Sequence, residues 1–362
     1  MKLEIAVING DGVGPEMMAA ALHVLNAVCE MYGHQLILRH VLASGEAIEG
    51  VGNPLPEESL AVCKECRAVL FGNTGLAKYK DFPLEKRPEY ALMKLRKELR
   101  VTTNIRPVRV YPALQELSPL KERLLRNGFD LVFVRDIVGG VFCSDKIKAK
   151  GQGGLEAYEF EYYNETIIAD TARVAFKLAG QRKRRVISLD KANVLESSRL
   201  WRKTVTKIGE EYPEIQLGHS YIDSAAMDIL ANPSGFDVIV TSNLFGDIIS
   251  DEGTQMSGTA CLYGSAELAK DNRGIFTPNQ LHYPDETIIG EQIVNPIGMI
   301  AAAALMLRYS FGLLKEAKAV ESAVEATLLD GYGTKDIWLP GRRILNTMEM
   351  AQIIAKRIHM YQ

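Results

Sequence analysis

The chain has 362 residues, of which 47% are apolar and 24% charged, and its formal net charge is −3. This length allows two domains, and the composition is that of an ordinary globular protein in water. The slight negative charge argues against nucleic acid or an anionic membrane as a partner. The chain opens on a strand-like run rather than a signal peptide, and no apolar run is long enough to span a bilayer. We therefore expect a cytoplasmic protein.

Strand-like apolar runs alternate with amphipathic helical segments along the chain. The runs lie at 5–8, 35–42, 68–71, 131–134, 185–189, 216–221 and 237–241. Segments 15–32 and 197–211 show the helical pattern between them. This alternation predicts an α/β protein with a mixed, largely parallel sheet.

One segment breaks this alternation. Residues 146–154 (KIKAKGQGG) form a Gly/Lys-rich turn, and residues 155–163 (LEAYEFEYY) then alternate like an exposed strand. An exposed strand invites pairing with another chain. We interpret residues 143–165 as a dimerisation arm, with an internal hairpin as the equally weighted alternative.

A glycine-rich loop, GDGVGPE at 10–16, lies between the first strand and the first helix, where a nucleotide loop would lie. Its spacing is GxGxG rather than GxGxxG, and no acid ends the second strand, so the dinucleotide-binding pattern is weak. The alternative is a tight turn in which Pro15 opens the helix.

Three arginines, Arg96, Arg106 and Arg135, stand in basic motifs. Arg135 ends an apolar strand, which is where open α/β sheets place ligands. Guanidinium groups bind carboxylates and phosphates through two parallel hydrogen bonds. Each arginine alone is more often a surface or salt-bridging residue, but together they indicate an anionic substrate.

Three acids, Asp223, Asp247 and Asp251, each follow a strand-like run, and Lys191 follows another. Asp247 and Asp251 are four residues apart, so on a helix they lie on one face and repel each other. Either a cation compensates them or they are solvated near a helix start. Three such carboxylates suit Mg²⁺ or Mn²⁺, and a lysine near a metal and arginines can act as a base.

The order and spacing of these motifs resemble the isocitrate/isopropylmalate dehydrogenases, which are metal-dependent decarboxylating dehydrogenases. The resemblance covers nearly the whole chain. The motifs, in order, are GDGVGPE, LRKELR, NIRPVRVYP, DKANVLESSRLWR, DSAAM and NLFGDIISDE.

The resemblance implies a role for each of these side chains. The arginines that hold the carboxylates of a 2-hydroxy dicarboxylate substrate are Arg96, Arg106 and Arg135. The ligands of Mg²⁺ or Mn²⁺ are Asp223, Asp247 and Asp251. Lys191 is the catalytic base, and it and Asp223 reach the active site from the partner subunit of a homodimer.

Further positions are implied around the alkyl group of the substrate and the nicotinamide of NAD. They are Glu89, Leu92, Met93, Asn193 and Val194. Apolar Leu92 and Met93 favour an alkyl-substituted malate over isocitrate, whose third carboxylate requires polar partners.

The sequence departs from the family pattern in two places. Phe142 stands where the family has the tyrosine that protonates the enolate carbon, and a phenyl ring has no such proton. The adenine-side loop reads TPNQLHYPD at 277–285, in which Leu281, His282 and Tyr283 replace a small Gly-Ser-Ala run. Asp285 still matches the acid that accepts the ribose hydroxyls, and Asn295 matches an adenine contact, so NAD is expected in an atypical pocket.

The resemblance implies a two-domain fold, with residues 1–105 and 258–362 in the cofactor-side domain and 106–257 in the dimerisation domain. It implies NAD-dependent oxidative decarboxylation of 3-isopropylmalate or a related 3-alkylmalate. The alternatives are a dehydrogenase of malate, tartrate or another 2-hydroxy acid, and a non-catalytic protein that binds a metal and a dicarboxylate.

Overall fold

Strands and helices follow the predicted alternation. The computed structural model describes residues 1–281, 286–358 and 360. The strands are β1 (Lys2–Ile8), β2 (Gln35–His40), β3 (Ala68–Phe71), β4 (Val101–Arg109), β5 (Asp130–Asp136), β6 (Ile147–Gly151), β7 (Gly154–Tyr158), β8 (Arg185–Asp190), β9 (Gln216–Tyr221), β10 (Val238–Thr241), β11 (Gly264–Ala269), β12 (Gly274–Pro278), β13 (Tyr332–Gly333) and β14 (Arg343–Ile344). The α-helices are α1 (Gly14–Met31), α2 (Ser44–Val51), α3 (Glu57–Glu65), α4 (Glu89–Glu98), α5 (Glu122–Leu125), α6 (Glu165–Gly180), α7 (Glu196–Gly209), α8 (Ile222–Ala231), α9 (Asn243–Gln255), α10 (Ile297–Tyr309), α11 (Leu314–Leu329) and α12 (Thr347–Ile358). The predicted α/β class is confirmed.

The chain divides into two compact units. The first contains Met1–Val101, Tyr111–Ser118 and Ser257–Gln362. The second contains Thr102–Val110 and Pro119–Met256. The domain limits predicted from the sequence, 1–105 with 258–362 and 106–257, stay a prediction.

The first unit is built on strands in the order β2-β1-β3-β12-β11. β1 pairs in parallel with β2 and β3, β12 runs parallel to β3, and β11 is antiparallel to β12. Helix α10 packs on β11 and β12 and also contacts α1, so it is surrounded by the core. Its apolar run needs no polar face for that reason. Across the described ranges, no helix is both long and apolar enough to cross a membrane.

The second unit orders its main strands β4-β5-β10-β8-β9. β4 is antiparallel to β5, whereas β5, β10, β8 and β9 are parallel. The register places Thr241 beside both Arg135 and Leu189, and Asp190 beside Tyr221. The carboxyl ends of four parallel strands therefore meet at one edge of this unit, which is where α/β sheets bind ligands.

The segment interpreted as an arm contains a two-stranded antiparallel hairpin, β6 with β7, in which Ile147 pairs with Tyr158. Most of its residues are exposed, and Leu155 is 91% exposed. A hairpin is thus present, and its use in dimerisation stays a prediction.

Candidate active site

Arg135, at the end of β5, is held by the start of helix α9. Its Nε and Nη2 donate to Asn243 Oδ1 at 3.1 and 2.8 Å, and its Nη1 donates to Asp247. Arg135 is only 8% exposed, so these partners satisfy a nearly buried charge. Gly246 makes the approach possible, because a Cβ there would lie 2.7 Å from Arg135 Cγ.

Arg106, on β4, pairs with the next turn of the same helix. Its Nη1 donates to Asp251 Oδ1 at 2.8 Å and to Ser250 Oγ at 3.0 Å. Its Nε is buried and has no partner among the described residues. Buried donors normally have a partner, so a bound carboxylate would complete the hydrogen bonding of Arg106.

Asp247 and Asp251 therefore lie one turn apart on α9, each compensated by an arginine. Their side chains are 41% and 70% exposed, so a cation from solvent can reach both. Carboxylate oxygens are the ligands that Mg²⁺ and Mn²⁺ prefer. Within the described part of one chain, however, no three His, Cys, Asp or Glu side chains come together as a metal site. A cation here needs ligands beyond these two.

Lys191 and Asp223 form a second pair, at the ends of β8 and β9. Lys191 Nζ donates to Asp223 Oδ1 at 2.6 Å and lies 5.9 Å from the centroid of the Tyr221 ring. This bond to Lys191 is the main reason why the pKa of the Asp223 carboxyl is lowered. Within one chain, Asp223 thus pairs with Lys191 and does not join Asp247 and Asp251.

Phe142 lies in a short 3₁₀ turn, Val141–Cys143, and its ring is 5.8 Å from Arg135 Cζ. The residue is 41% exposed. The neighbouring Cys143 Sγ accepts from Asn243 Nδ2 at 3.7 Å and donates to Ile137 O at 3.5 Å. The position predicted for the acid thus carries a ring without a transferable proton, beside one of the predicted carboxylate-binding arginines.

Tyr163 packs behind this turn. Its hydroxyl accepts from the backbone N–H of Asn243 at 2.8 Å, and a Cβ on Gly139 would lie 2.4 Å from its ring. Burial raises the pKa of Tyr163, so its phenol holds its proton firmly. Burial likewise raises the pKa of Asp136 to about 6, against the lowering effect of its hydrogen bonds with Gly139 and Val138 N–H and with Tyr163. Tyr163 and Asp136 stabilise the turn that carries Phe142.

Helix α4 of the first unit carries Glu89, Leu92, Met93 and Arg96 at a helical spacing of three, four and seven residues. Leu92 is 4% exposed and Met93 39% exposed. Glu89 Oε2 is buried without a partner in the described chain. Arg96 donates from Nε to Glu267 Oε2 at 2.8 Å and from Nη2 to Glu267 Oε1. In the second unit, Val194 is 62% exposed and Asn193 is also exposed.

The glycine-rich loop packs closely against the turn after β3. Gly10 has a φ of +81°, and a Cβ there would lie 2.2 Å from Asn73 O. Asp11 is 6% exposed and accepts from Ser44 Oγ and Gly45 N at 2.7 Å and from Gly75 N at 2.8 Å. Burial raises the pKa of Asp11 despite these bonds. A small cavity adjoins this loop, lined by Asp11, Gly12, Asn73, Gly75, Leu76, Glu286 and Ile289.

The start of the adenine-side loop is tied to the same turn. Asn73 Nδ2 donates to the carbonyl groups of Gln280 and Leu281 at 2.9 and 3.1 Å, and Thr74 N donates to Leu281 O at 3.0 Å. Asp285 and His282 lie outside the described residues. Asn295 is 2% exposed, accepts from Ile297 N at 3.0 Å and donates to Asp336 at 3.1 Å. Its side chain therefore supports the start of α10.

Three residues with direct contacts to these groups were not assigned from the sequence: Asn243, Glu267 and Asp11. Asn243 follows a buried strand and begins a helix, a position that signals a ligand site. Glu267 is an acid in an otherwise uncharged strand, which signals a buried pair. Asp11 lies between two glycines of the loop, where only its burial distinguishes it.

The fold and the order of the motifs are those of a decarboxylating dehydrogenase of hydroxy acids. The family model described as isocitrate/isopropylmalate dehydrogenase matches residues 4–354. The chain belongs to the isocitrate/isopropylmalate dehydrogenase family, and the resemblance inferred from the motifs is confirmed.

Named relatives agree over nearly their full length. The chain is 44% identical over 351 residues to 3-isopropylmalate dehydrogenase of Clostridium acetobutylicum, covering 97% of this chain and 98% of the relative. It is 45% identical over 355 residues to the enzyme of that name from Wolinella succinogenes, covering 98% and 97%. Among solved structures, isocitrate dehydrogenase from Methylococcus capsulatus matches with a TM-score of 0.83 at 27% identity, covering 98% of this chain and 99% of that one. The chain is therefore an enzyme that oxidatively decarboxylates a hydroxy acid.

Proposed function

We propose that this chain oxidises and decarboxylates 3-isopropylmalate, or a closely related 3-alkylmalate, with NAD as the hydride acceptor and Mg²⁺ or Mn²⁺ as the metal. The observation that carries this proposal is the pairing on α9. Two arginines expected to bind the substrate are paired with two aspartates expected to bind the metal. When a cation takes over the aspartates, Arg106 and Arg135 need new anionic partners. The carboxylates of a malate would supply them.

The residues present fit both cofactors. Asp247 and Asp251 offer exposed carboxylate oxygens, and the buried Glu89 Oε2 is an acceptor that a ribose hydroxyl would satisfy. When bound, the metal supplies Lewis-acid stabilisation of negative charge on the substrate oxygens, and NAD accepts the hydride. Asp285, Asn193 and Asn295 stay predicted cofactor contacts.

Lys191 is the proposed base. In its neutral amine form, Lys191 Nζ would receive the proton of the substrate hydroxyl, while one of its N–H groups donates to Asp223 and fixes the position of Nζ. Arg106 and Arg135 orient the carboxylates through their guanidinium groups. Phe142 leaves the final protonation of carbon without a dedicated tyrosine, so we expect that step to be slow.

The substrate proposal rests on apolar surface and on relatives. Met93 and Val194 expose apolar side chains at positions that the resemblance places around the alkyl group, and Leu92 of the same helix as Met93 is buried. Relatives named 3-isopropylmalate dehydrogenase are 44% and 45% identical over nearly the whole chain. We propose on this basis a role in leucine synthesis and a cytoplasmic location.

We also propose a homodimer in which Lys191 and Asp223 act in the partner's site. Two observations support it. One chain alone brings no third acid to Asp247 and Asp251 within its described residues. The segment around hairpin β6–β7 also exposes large apolar side chains. They are Ile147, Leu155, Tyr158, Phe160 and Tyr162.

The test is NADH formation by the purified protein with Mn²⁺, comparing racemic 3-isopropylmalate with malate, tartrate and isocitrate. We expect the highest kcat/KM for 3-isopropylmalate, and its loss in Lys191→Met. Lys177→Met, which removes an exposed lysine on α6, is the matched control and should retain activity. A higher kcat/KM for malate or tartrate would show that this acid, and not 3-isopropylmalate, is the substrate. Absence of turnover from every acid would overturn the proposal.

A further inference from the structure

The carboxylate of Glu267 is buried inside a strand. All six residues of β11 are buried, and Glu267 is 2% exposed. A charged carboxylate in such a place requires a hydrogen-bonded countercharge. Arg96 of helix α4 supplies it through two parallel bonds, from Nε and from Nη2. Both residues belong to the first unit, and the pair joins a helix to a strand.

This pair differs from those of the other two substrate arginines. The partners of Arg106 and Arg135 are aspartates that are 70% and 41% exposed, and we propose that both bind the metal. A cation would therefore release these two arginines. Glu267 is buried and is not a proposed metal ligand, so its negative charge stays on Arg96 when metal and substrate bind.

The consequence is electrostatic. A guanidinium group with a permanent carboxylate partner still donates hydrogen bonds, but the pair carries no net charge. A fixed buried charge acts through a low effective dielectric and is poorly screened by salt. Compared with an uncharged residue at position 267, the carboxylate of Glu267 therefore disfavours each additional negative charge on the substrate.

Resting on the proposed function, and on the family resemblance, which implies that Arg96 binds a substrate carboxylate, we infer that Glu267 is a specificity-determining residue. It neutralises Arg96, so the site accepts a dicarboxylate and discriminates against a tricarboxylate such as isocitrate. This selection acts through charge and is independent of the apolar side chains at Leu92 and Met93.

Glu267→Gln removes the charge and nearly keeps the shape. We expect the ratio of kcat/KM for isocitrate to kcat/KM for 3-isopropylmalate to rise about tenfold, the order of magnitude expected for removal of one nearby charge. Asp237→Asn is the matched control. Asp237 is fully buried and paired with Arg182 outside the proposed site, so its loss should leave the ratio unchanged.

If the role of Glu267 is purely structural, Glu267→Gln lowers kcat/KM for both substrates equally and leaves their ratio unchanged. That result would overturn the inference. If Glu267→Gln does not fold, Glu267→Met removes the same charge with an apolar side chain and must give the same rise. Calorimetric titration of wild type and Glu267→Gln with isocitrate and with 3-isopropylmalate, both with Mn²⁺, decides the question without turnover. A selective gain in isocitrate affinity supports the inference even if the proposed reaction fails, whereas equal changes reject it.

Discussion

At the scale of single residues, two neighbours at the end of β5 have opposite environments. Arg135 meets Asn243 and Asp247 at the candidate site, whereas Asp136 is fully buried beside Tyr163. Successive residues of a strand point to opposite faces, which explains the contrast. Arg135 is thus available to a ligand, and Asp136 stabilises the turn that carries Phe142.

Burial of Asp136 makes the stability depend on pH. Its pKa rises from 3.8 to about 6 in the folded state, so between these values the folded protein binds more protons than the unfolded chain. Raising the pH through this window therefore costs stability, by about 3 kcal/mol at pH 7. The free energy of unfolding of Asp136→Asn relative to wild type should therefore increase by roughly 2.5 kcal/mol between pH 4 and pH 7, since part of the loss has already occurred at pH 4. Urea unfolding at both pH values measures it, and a difference that does not change with pH would contradict the assignment.

Phe142 offers a second test at this scale. Phe142→Tyr restores a phenol on an exposed ring beside Arg135, so it should cost little stability. General acid catalysis typically contributes a hundredfold or more, and we expect kcat for 3-isopropylmalate to rise at least tenfold. Steady-state kinetics checks this. An unchanged kcat would show that another group already protonates the enolate carbon or that a different step limits the rate.

At the scale of elements, helix α9 combines two functions. At its start, Asn243 accepts hydrogen bonds from Arg135. One and two turns further on, Asp247 pairs with Arg135 and Asp251 pairs with Arg106. Like charges four residues apart destabilise a helix by a few tenths of a kcal/mol, and the arginines offset this. A divalent cation bound to both carboxylates would also remove the repulsion between Asp247 and Asp251.

Asp251→Asn tests this interpretation of α9. Asp251 is 70% exposed, and the nearly buried Arg106 keeps Ser250 Oγ as a partner, so the free energy of unfolding without metal should change by only about 1 kcal/mol. The rise in Tm that Mn²⁺ produces in wild type should disappear. Thermal unfolding with and without Mn²⁺ measures both. Asp271→Asn, which removes a 51% exposed acid paired with Arg273, should keep the Mn²⁺ effect, and the same persistence in Asp251→Asn would refute the metal assignment.

Hairpin β6–β7 is the second element with a testable role. Leu155 is 91% exposed near its tip, and burial against a second copy would explain this apolar side chain. Leu155→Lys should weaken the dimer at least tenfold in sedimentation equilibrium. Val51→Lys changes another exposed apolar residue, in the first unit, and should leave the dimer intact. Equal dissociation constants for both variants would contradict the arm.

At the scale of the whole molecule, much of the fold was predictable. The period-two and helical patterns gave the α/β class, since they depend on local sequence alone. The order β4-β5-β10-β8-β9 was not predictable, because it is decided by packing between distant segments. The same holds for the Arg96–Glu267 pair, whose members are 171 residues apart. Motif order predicted individual site residues, and their partners became visible only in three dimensions.

Despite Phe142, we expect this chain to couple oxidation of its substrate to loss of CO₂. The most direct measurement is the ratio of NADH formed to CO₂ released by the purified protein with Mn²⁺ and 3-isopropylmalate. We expect one CO₂ for each NADH, because the β-keto acid formed at the site loses its carboxylate there. NADH without matching CO₂, or no NADH from a folded protein, would contradict the claim.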